Sequence, residues 1–325
     1  MKVLHITNSY PTIQNPDYGV FTKDQIDNLS QYGIENKLLF VNSKENGIIE
    51  YFRAIKKIRS IYKNYDLIHC FHGLTLIVAF FTTINKPILI SFLNEIKYEN
   101  FKSNIYFNKL YVLLYNFILK SKLVFAIFKD KIPEKQQNTN RSFYLPNGVN
   151  LQNFYLLEKE DACNYLNLDC KKRYILFVSS KNKMRTQKRY DIFMSTINIL
   201  KKKYNEYNFE ELIMSGVPRK DSIYYYNASC IHLLVSNYEG SPNSVKEAMS
   251  CNIPVVSTDV GNVKKMLNGA VNCYISPQDS FILAGYVIKA LEHKPQDLRG
   301  VLIKNKLTVK DKTLELIRIY KKILN

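Results

Sequence analysis

The sequence predicts an α/β protein of two domains, each with a mostly parallel sheet covered by helices on both faces. Three observations carry this expectation. Short apolar runs alternate with longer amphipathic ones along the whole chain. A turn signal, Pro146-Asn147-Gly148, falls near the middle, and the same alternation restarts after it. The length, 325 residues, suits two ordinary domains.

The elements follow in order. Val3–Ile6 is an apolar run of strand length, and Val20–Gln31 reads as a helix after the loop containing Gly19. Lys37–Val41 returns to strand character. Ile48–Tyr62 has helical spacing, with Lys56, Lys57 and Arg59 outward. Leu67–Phe71 is a strand, Leu74–Thr83 a helix, and Ile88–Phe92 a strand after Pro87. Ile105–Lys120 is helical, Leu123–Ile127 is a strand, and Phe143–Leu145 runs into the central turn. In the second half the strands are Tyr174–Val178, Leu212–Ser215, Ile231–Val235, Val255–Ser257 and Cys273–Ile275. The helices there are Tyr190–Lys203, one opening at Pro242, and Lys310–Leu324. The domain boundary falls near Asn150–Phe154. In open sheets of this kind ligands sit beyond the carboxyl ends of the strands, so chemistry is sought in the segments that follow strands.

Composition excludes several classes. Hydrophobic residues at 46% and charged residues at 23% rule out a disordered chain. Lysine and arginine number 46 against 28 acids, a net charge of +18, which points to an anionic partner: nucleic acid, a membrane surface or a phosphorylated substrate. The first 155 residues hold 19 basic and 11 acidic residues, so the charge is not confined to one half. No nucleic-acid-binding module is recognisable and no basic run exceeds three residues, so nucleic acid is not an expected partner. The six cysteines include no CxxC pair, which suits a reducing cytosol. Pro11 cuts short the only N-terminal apolar run, and no uncharged apolar stretch is long enough to span a bilayer. The expected location is the cytoplasm, with peripheral attachment to the inner face of the cell membrane as the further option. That option comes from the aromatic and basic segment Phe101–Lys131, which reads either as a buried helix and strand or as a side-on contact with anionic lipid.

Familiar phosphate and metal motifs are missing. No two of the 11 glycines are two residues apart, so there is no G-x-G-x-x-G, and no glycine precedes a Lys-Ser or Lys-Thr pair. There is no D-x-D. His69 and His72 form one H-x-x-H without further ligands in view, so no metal site is expected, although His72-Gly73 ends a strand.

One constellation carries the functional reading. After strand Ile231–Val235 comes Glu239-Gly240-Ser241-Pro242-Asn243-Ser244-Val245-Lys246-Glu247. Ser241 suits an N-cap and Pro242 the first helical position. The orphan N–H groups of Asn243, Ser244 and Val245, with the helix dipole, then form an anion site suited to a diphosphate. Asn243 and Glu247 share a helix face, where a carboxylate can accept two bonds from a ribose diol, and Glu239 precedes the helix. Taken alone, the segment reads equally well as a capped surface helix with a solvated glutamate.

The wider text resolves the choice. EGSPNSVKEAMSCNIPVVSTDVGNV resembles the donor-site signature of glycosyltransferase family four, retaining enzymes of the GT-B fold (glycosyl transferases group 1). MKVLHITNSYPTIQNPDYGVFTKDQI, LPNGVNLQNF and GVPRKDSIYYYNAS resemble further segments of that family, so the likeness runs over nearly the whole chain. It implies two Rossmann-like domains facing across a cleft: residues 1–152 on the acceptor side and 153–308 on the donor side, with helix 309–325 packing back on the first. It further implies that Glu247 holds the nucleotide ribose and Glu239 contacts the donor sugar. The backbone of Gly240, Ser241, Pro242, Asn243, Ser244 and Val245 would hold the diphosphate, and Lys188 would neutralise the departing phosphate. Gly19 and His72 would lie on the acceptor side or phosphate loop. Three departures stand out. Ser179-Ser180 replaces the family's Gly-Arg, leaving Arg185 or Lys183 to supply the missing cation. Ser91-Phe92-Leu93-Asn94-Glu95 lacks the family's histidine turn, leaving Asn94 or Glu95. Asn252 replaces a glycine. The implied function is metal-independent and cofactor-free transfer of a hexose from a UDP- or GDP-linked sugar to a hydroxyl of a glycan or polyprenyl-linked acceptor, in cell-surface polysaccharide synthesis. The alternative is an inactive sugar-nucleotide-binding scaffold of the same fold.

Overall fold

A computed structural model describes residues 1–15, 18–92, 105–179 and 184–325. The chain divides into two compact units, Met1–Pro146 with Lys312–Asn325, and Asn147–Asp311. Each is built around one parallel sheet.

In the first unit the strands are β1 (Lys2–Thr7), β2 (Glu35–Phe40), β3 (Leu67–Cys70), β4 (Ile88–Phe92), β5 (Val124–Phe128) and β6 (Ser142–Tyr144), in the order β2-β1-β3-β4-β5-β6. Counting helices of seven residues or more, it holds α1 (Val20–Ser30), α2 (Ile49–Ile61), α3 (Gly73–Thr82), α4 (Ile105–Lys120) and most of the C-terminal helix. β3 and β4 are buried at every residue, because a parallel strand covered on both faces has no water side. Alternate residues feed two cores. Leu4, Ile6, Ile68, Cys70, Ile88 and Ile90 pack with α2, α3 and α4. Val3, Leu67, Leu89 and Ile127 pack with Leu29 of α1 and with Leu316, Ile319 and Tyr320 of the C-terminal helix.

In the second unit the strands are β7 (Arg173–Ser179), β8 (Phe209–Ser215), β9 (Ser229–Leu234), β10 (Val255–Thr258) and β11 (Tyr274–Ser276), in the order β11-β10-β9-β7-β8. Its helices are α5 (Lys159–Tyr165), α6 (Tyr190–Lys203), α7 (Ser222–Ala228), α8 (Asn243–Ser250), α9 (Ser280–Glu292) and α10 (Leu298–Lys304); α11 (Val309–Leu324) runs to the C-terminus. Tyr174 and Leu176 join one face and Ile175 and Phe177 the other. Helix α9 is the longest element that periodicity does not show. Its text SFILAGYVIKALE is apolar nearly all round, which blurs the period, and its start is marked by Asp279, whose side chain accepts from the N–H groups of Phe281 and Ile282.

Both sheets are wound the same way. The first crossover goes to one side of the first strand and the second to the other, so the direction reverses between β1 and β3 and between β7 and β9. The gaps beyond the carboxyl ends of those pairs are the expected ligand crevices.

The cores also hold neutral histidines. His5 Nε2 lies 2.7 Å from Asn36 Oδ1; His69 bridges Tyr320 Oη at 2.6 Å and Ser91 Oγ at 2.8 Å. Burial lowers His5 and His232 from 6.5 to about 4, and His69 well below 6.5. The unfolded chain therefore binds more protons than the folded one between pH 6.5 and 4, and stability falls as pH drops through that window. His5 and His232 each contribute about 3 kcal/mol to the loss by its lower end. Thermal melts should fall steeply as pH drops below 6.5, with a shallower slope for His5→Gln; an unchanged slope would contradict this assignment.

Candidate active site

The reversal point of the second unit brings together the loops that follow β7 and β9. They are laced together: Asn237 N–H donates to the Gln187 carbonyl at 2.8 Å, and the Gln187 side-chain Nε2 to the Tyr238 carbonyl at 2.7 Å. This lacing sets Lys188 against Glu239. Lys188 Nζ lies 2.7 Å from Glu239 Oε1, which also accepts from Ser236 Oγ at 2.8 Å. Both side chains are about seven-eighths covered, so the pair is shielded beyond an ordinary surface contact.

The turn after Glu239 is held from behind. Asn262 N–H donates to the Gly240 carbonyl at 3.1 Å. Gly261, at φ +55°, comes so close that a Cβ there would lie 2.3 Å from that same carbonyl oxygen. The helix expected at Pro242 begins one residue later: Pro242, with ψ 118°, takes the cap position, and α8 starts at Asn243. Ser241 does not cap it. Its hydroxyl accepts from Nζ of Lys246, a wholly buried lysine, at 2.8 Å. Ser244 Oγ lies 3.0 Å from His232 Nε2, while Val245 points into the core. Asn243 Oδ1 is buried without a hydrogen-bond partner.

Glu247 is 3% exposed and is gripped from two sides. The Tyr226 hydroxyl donates to Oε2 at 2.7 Å, and Arg219 Nη2 lies 2.7 Å from Oε1. The Arg219 guanidinium also sits 4.8 Å over the Phe154 ring. Burial, and then the Glu247 charge, push the Tyr226 hydroxyl well above its ordinary range, so it stays a donor. Sequence reasoning missed Arg219, Tyr226, Ser236, Lys246 and Gly261 as parts of this site. For Arg219 and Tyr226 the signal lay in the quoted GVPRKDSIYYYNAS segment, and for Lys246 and Gly261 in EGSPNSVKEAMSCNIPVVSTDVGNV.

Arg185 is not gathered into the ion pair; it is exposed, and its guanidinium donates to Gln187 Oε1 at 2.6 Å. Lys183, Asn94 and Glu95 lie outside the described residues.

At the reversal point of the first unit stand Gly19 and His72. Gly19, at φ +74°, precedes α1, and a Cβ there would lie 2.2 Å from the Ser9 carbonyl oxygen. Its loop is tied down by Glu45, which accepts from Thr12 Oγ1 at 2.8 Å and Asn42 Nδ2 at 2.7 Å. His72 caps α3: Nδ1 accepts from the Leu74 N–H, and Thr75 completes a capping box. Its H-x-x-H partner His69 is a core residue with both ring nitrogens engaged. Among the described residues no group of three or more His, Cys, Asp or Glu side chains is placed to hold a metal ion.

Comparison with known proteins fits this geometry. Residues 213–293, which include β9, Glu239 and all of α8, match the family model described as Glycosyl transferases group 1. No curated protein matches the chain. Among solved structures, a sucrose-phosphate synthase from Thermosynechococcus elongatus aligns at TM-score 0.74 and 16% identity, covering 99% of each chain. Anabaena HepE in complex with UDP aligns at TM-score 0.71 and 13% identity, over 99% of this chain and 100% of that one. A trehalose-phosphate synthase (UDP-forming) from Burkholderia xenovorans, in complex with glucose-6-phosphate, aligns at TM-score 0.70 and 10% identity, again over 99% and 100%. The fold is that of the GT-B glycosyltransferases. With the group 1 segment in its second unit, the chain is an enzyme of the glycosyltransferase class.

Proposed function

We propose that the chain is a retaining glycosyltransferase that moves a hexose from a nucleotide-diphosphate sugar to a hydroxyl of a glycan or lipid-linked acceptor. The observation that carries the reading is the Lys188–Glu239 pair at a sheet reversal point, one turn before a helix whose buried Glu247 is already held by Tyr226 and Arg219. The first N–H groups of α8 and the Lys188 ammonium supply positive potential for the departing diphosphate, which supports transfer without a metal or other cofactor. Glu247 would accept the ribose hydroxyls and Glu239 those of the sugar. The leaving phosphate would take the acceptor's proton, so no side-chain nucleophile is required. Arg185 stands in for the missing phosphate-binding arginine. Gly19 and His72, at the reversal point of the first unit, are assigned to the acceptor side.

UDP is the first donor nucleotide to try, because HepE is solved with UDP and with UDP-glucose. The process is cell-surface polysaccharide synthesis, carried out in the cytoplasm or against the inner face of the membrane. The test is release of nucleoside diphosphate from UDP- and GDP-hexoses, with the product's anomeric configuration read by NMR. Retention in a product whose formation is slowed by roughly one to two orders of magnitude in Glu239→Gln is expected. Inversion, or equal release by wild type and variant, would overturn the reading.

A further inference from the structure

A surface helix normally keeps one apolar stripe for the core, but α4 has two. Tyr111, Tyr115 and Ile118 face inward and are buried. On the outer side Leu110, Leu113 and Phe117, spaced i, i+3, i+7, are 55%, 67% and 61% exposed. The stripe continues onto α3 through Phe80, whose ring centroid is 6.5 Å from that of Phe117 and 5.3 Å from that of Phe81, itself 57% exposed. Exposed Lys109 and Lys120 lie at either end of the stripe, with Lys122 just beyond. No acidic residue occurs from Ile105 to Lys129. A contiguous apolar strip of this kind marks an interaction surface.

Charge selects the occupant. A second copy seated on this strip would bring its lysines against these, a like-charge contact. An anionic headgroup layer suits the lysines, and the acyl boundary beneath it suits the leucines and phenylalanines. Among the described residues no helix is long and apolar enough to cross a membrane, so contact through this face would be from the side.

We propose that the outer face of α4, continued by Phe81, docks the first unit on an anionic lipid bilayer, with Leu110, Leu113 and Phe117 entering the interface and Lys109, Lys120 and Lys122 among the headgroups. This deepens the glycosyl-transfer reading by naming where a lipid-linked acceptor would be met, and it rests on that reading only for the acceptor.

The experiment is co-sedimentation of the full chain with vesicles of phosphatidylcholine alone or mixed with phosphatidylglycerol. Binding to the mixed vesicles only is expected, weakened by salt. Leu113→Ser with Phe117→Ser should abolish it. Lys109→Gln, Lys120→Gln and Lys122→Gln together should reduce it at least tenfold, since each lysine near such a surface is worth about fivefold. All of these residues are exposed, so thermal stability should be unchanged, as should the shift given by UDP. The UDP shift separates failure of this proposal from failure of the donor site. No binding to mixed vesicles, equal binding by the variants, or a dimer lost in Leu113→Ser with Phe117→Ser without lipid binding would each overturn it.

Discussion

Replacing Glu239 by glutamine should lower turnover by roughly one to two orders of magnitude while leaving the fold intact. Glutamine keeps the shape, so Ser236 still finds an oxygen to donate to. What is lost is the charge opposite Lys188, whose ammonium lies 2.7 Å from Glu239 Oε1 in a covered position. A hydrogen bond to a charged group contributes about 1.5–3 kcal/mol, which converts to about ten- to 150-fold in rate if it is made in the transition state. Lys188→Met should act in the same direction, through the departing phosphate. The two changes should not add, because they remove two ends of one contact. Initial rates of nucleoside diphosphate release for the two single variants and the double variant settle this. Fully additive losses would show that the ion pair does not work as one unit.

Gly261→Ala should be as damaging to the site without replacing any residue proposed to contact ligand. Gly261 sits at φ +55°, where an alanine costs about 1–2 kcal/mol. Its new Cβ would also lie 2.3 Å from the Gly240 carbonyl oxygen and 2.9 Å from that of Glu239. Those are backbone atoms, so relief requires the Glu239–Gly240 turn to move, and with it the carboxylate. Gly285 provides the control. It lies inside α9 with nothing near its would-be Cβ, so Gly285→Ala should stabilise the chain by up to about 1 kcal/mol. Thermal melts and donor binding of the two variants should differ in sign and in kind. A Gly261→Ala protein that binds nucleotide like wild type would show that the turn does not need its present position.

The two variants also mark what the sequence makes legible. Glu239 and Glu247 are readable as candidates from the helix start that follows a strand, while Lys188 and the role of each come from the resemblance to family four. Strand ends are the easiest boundaries to find in a chain that alternates so regularly. Gly261 is not readable as a buttress, because its contact with Gly240 joins two loops that only the fold brings together. Arg219 and Tyr226 reach Glu247 from another loop and helix, and nothing in their local text announces that carboxylate. Ser241 misleads for a different reason. A serine before a proline at a helix start has the form of a cap, but here buried Lys246 takes its hydroxyl. Helix α9 escapes notice because its exposed side also carries apolar residues, Phe281 and Ile282, which blurs the stripe by which periodicity finds a helix. Arg185, proposed from loop position alone, is exposed and bonded to Gln187 rather than drawn towards Lys188 and Glu239.

The most direct test of the account is nucleotide binding by the second unit's reversal-point site. Thermal shifts of the full chain would be recorded with UDP, GDP and ADP, for wild type, Glu247→Ala and Tyr226→Phe. A nucleotide at a hundred times its dissociation constant should stabilise wild type by about 2.7 kcal/mol. One base should give that shift, Glu247→Ala should lose it, and Tyr226→Phe should reduce it by leaving Glu247 held by Arg219 alone. No shift with any nucleotide, or a full shift retained in Glu247→Ala, would contradict the assignment of this site as the donor site.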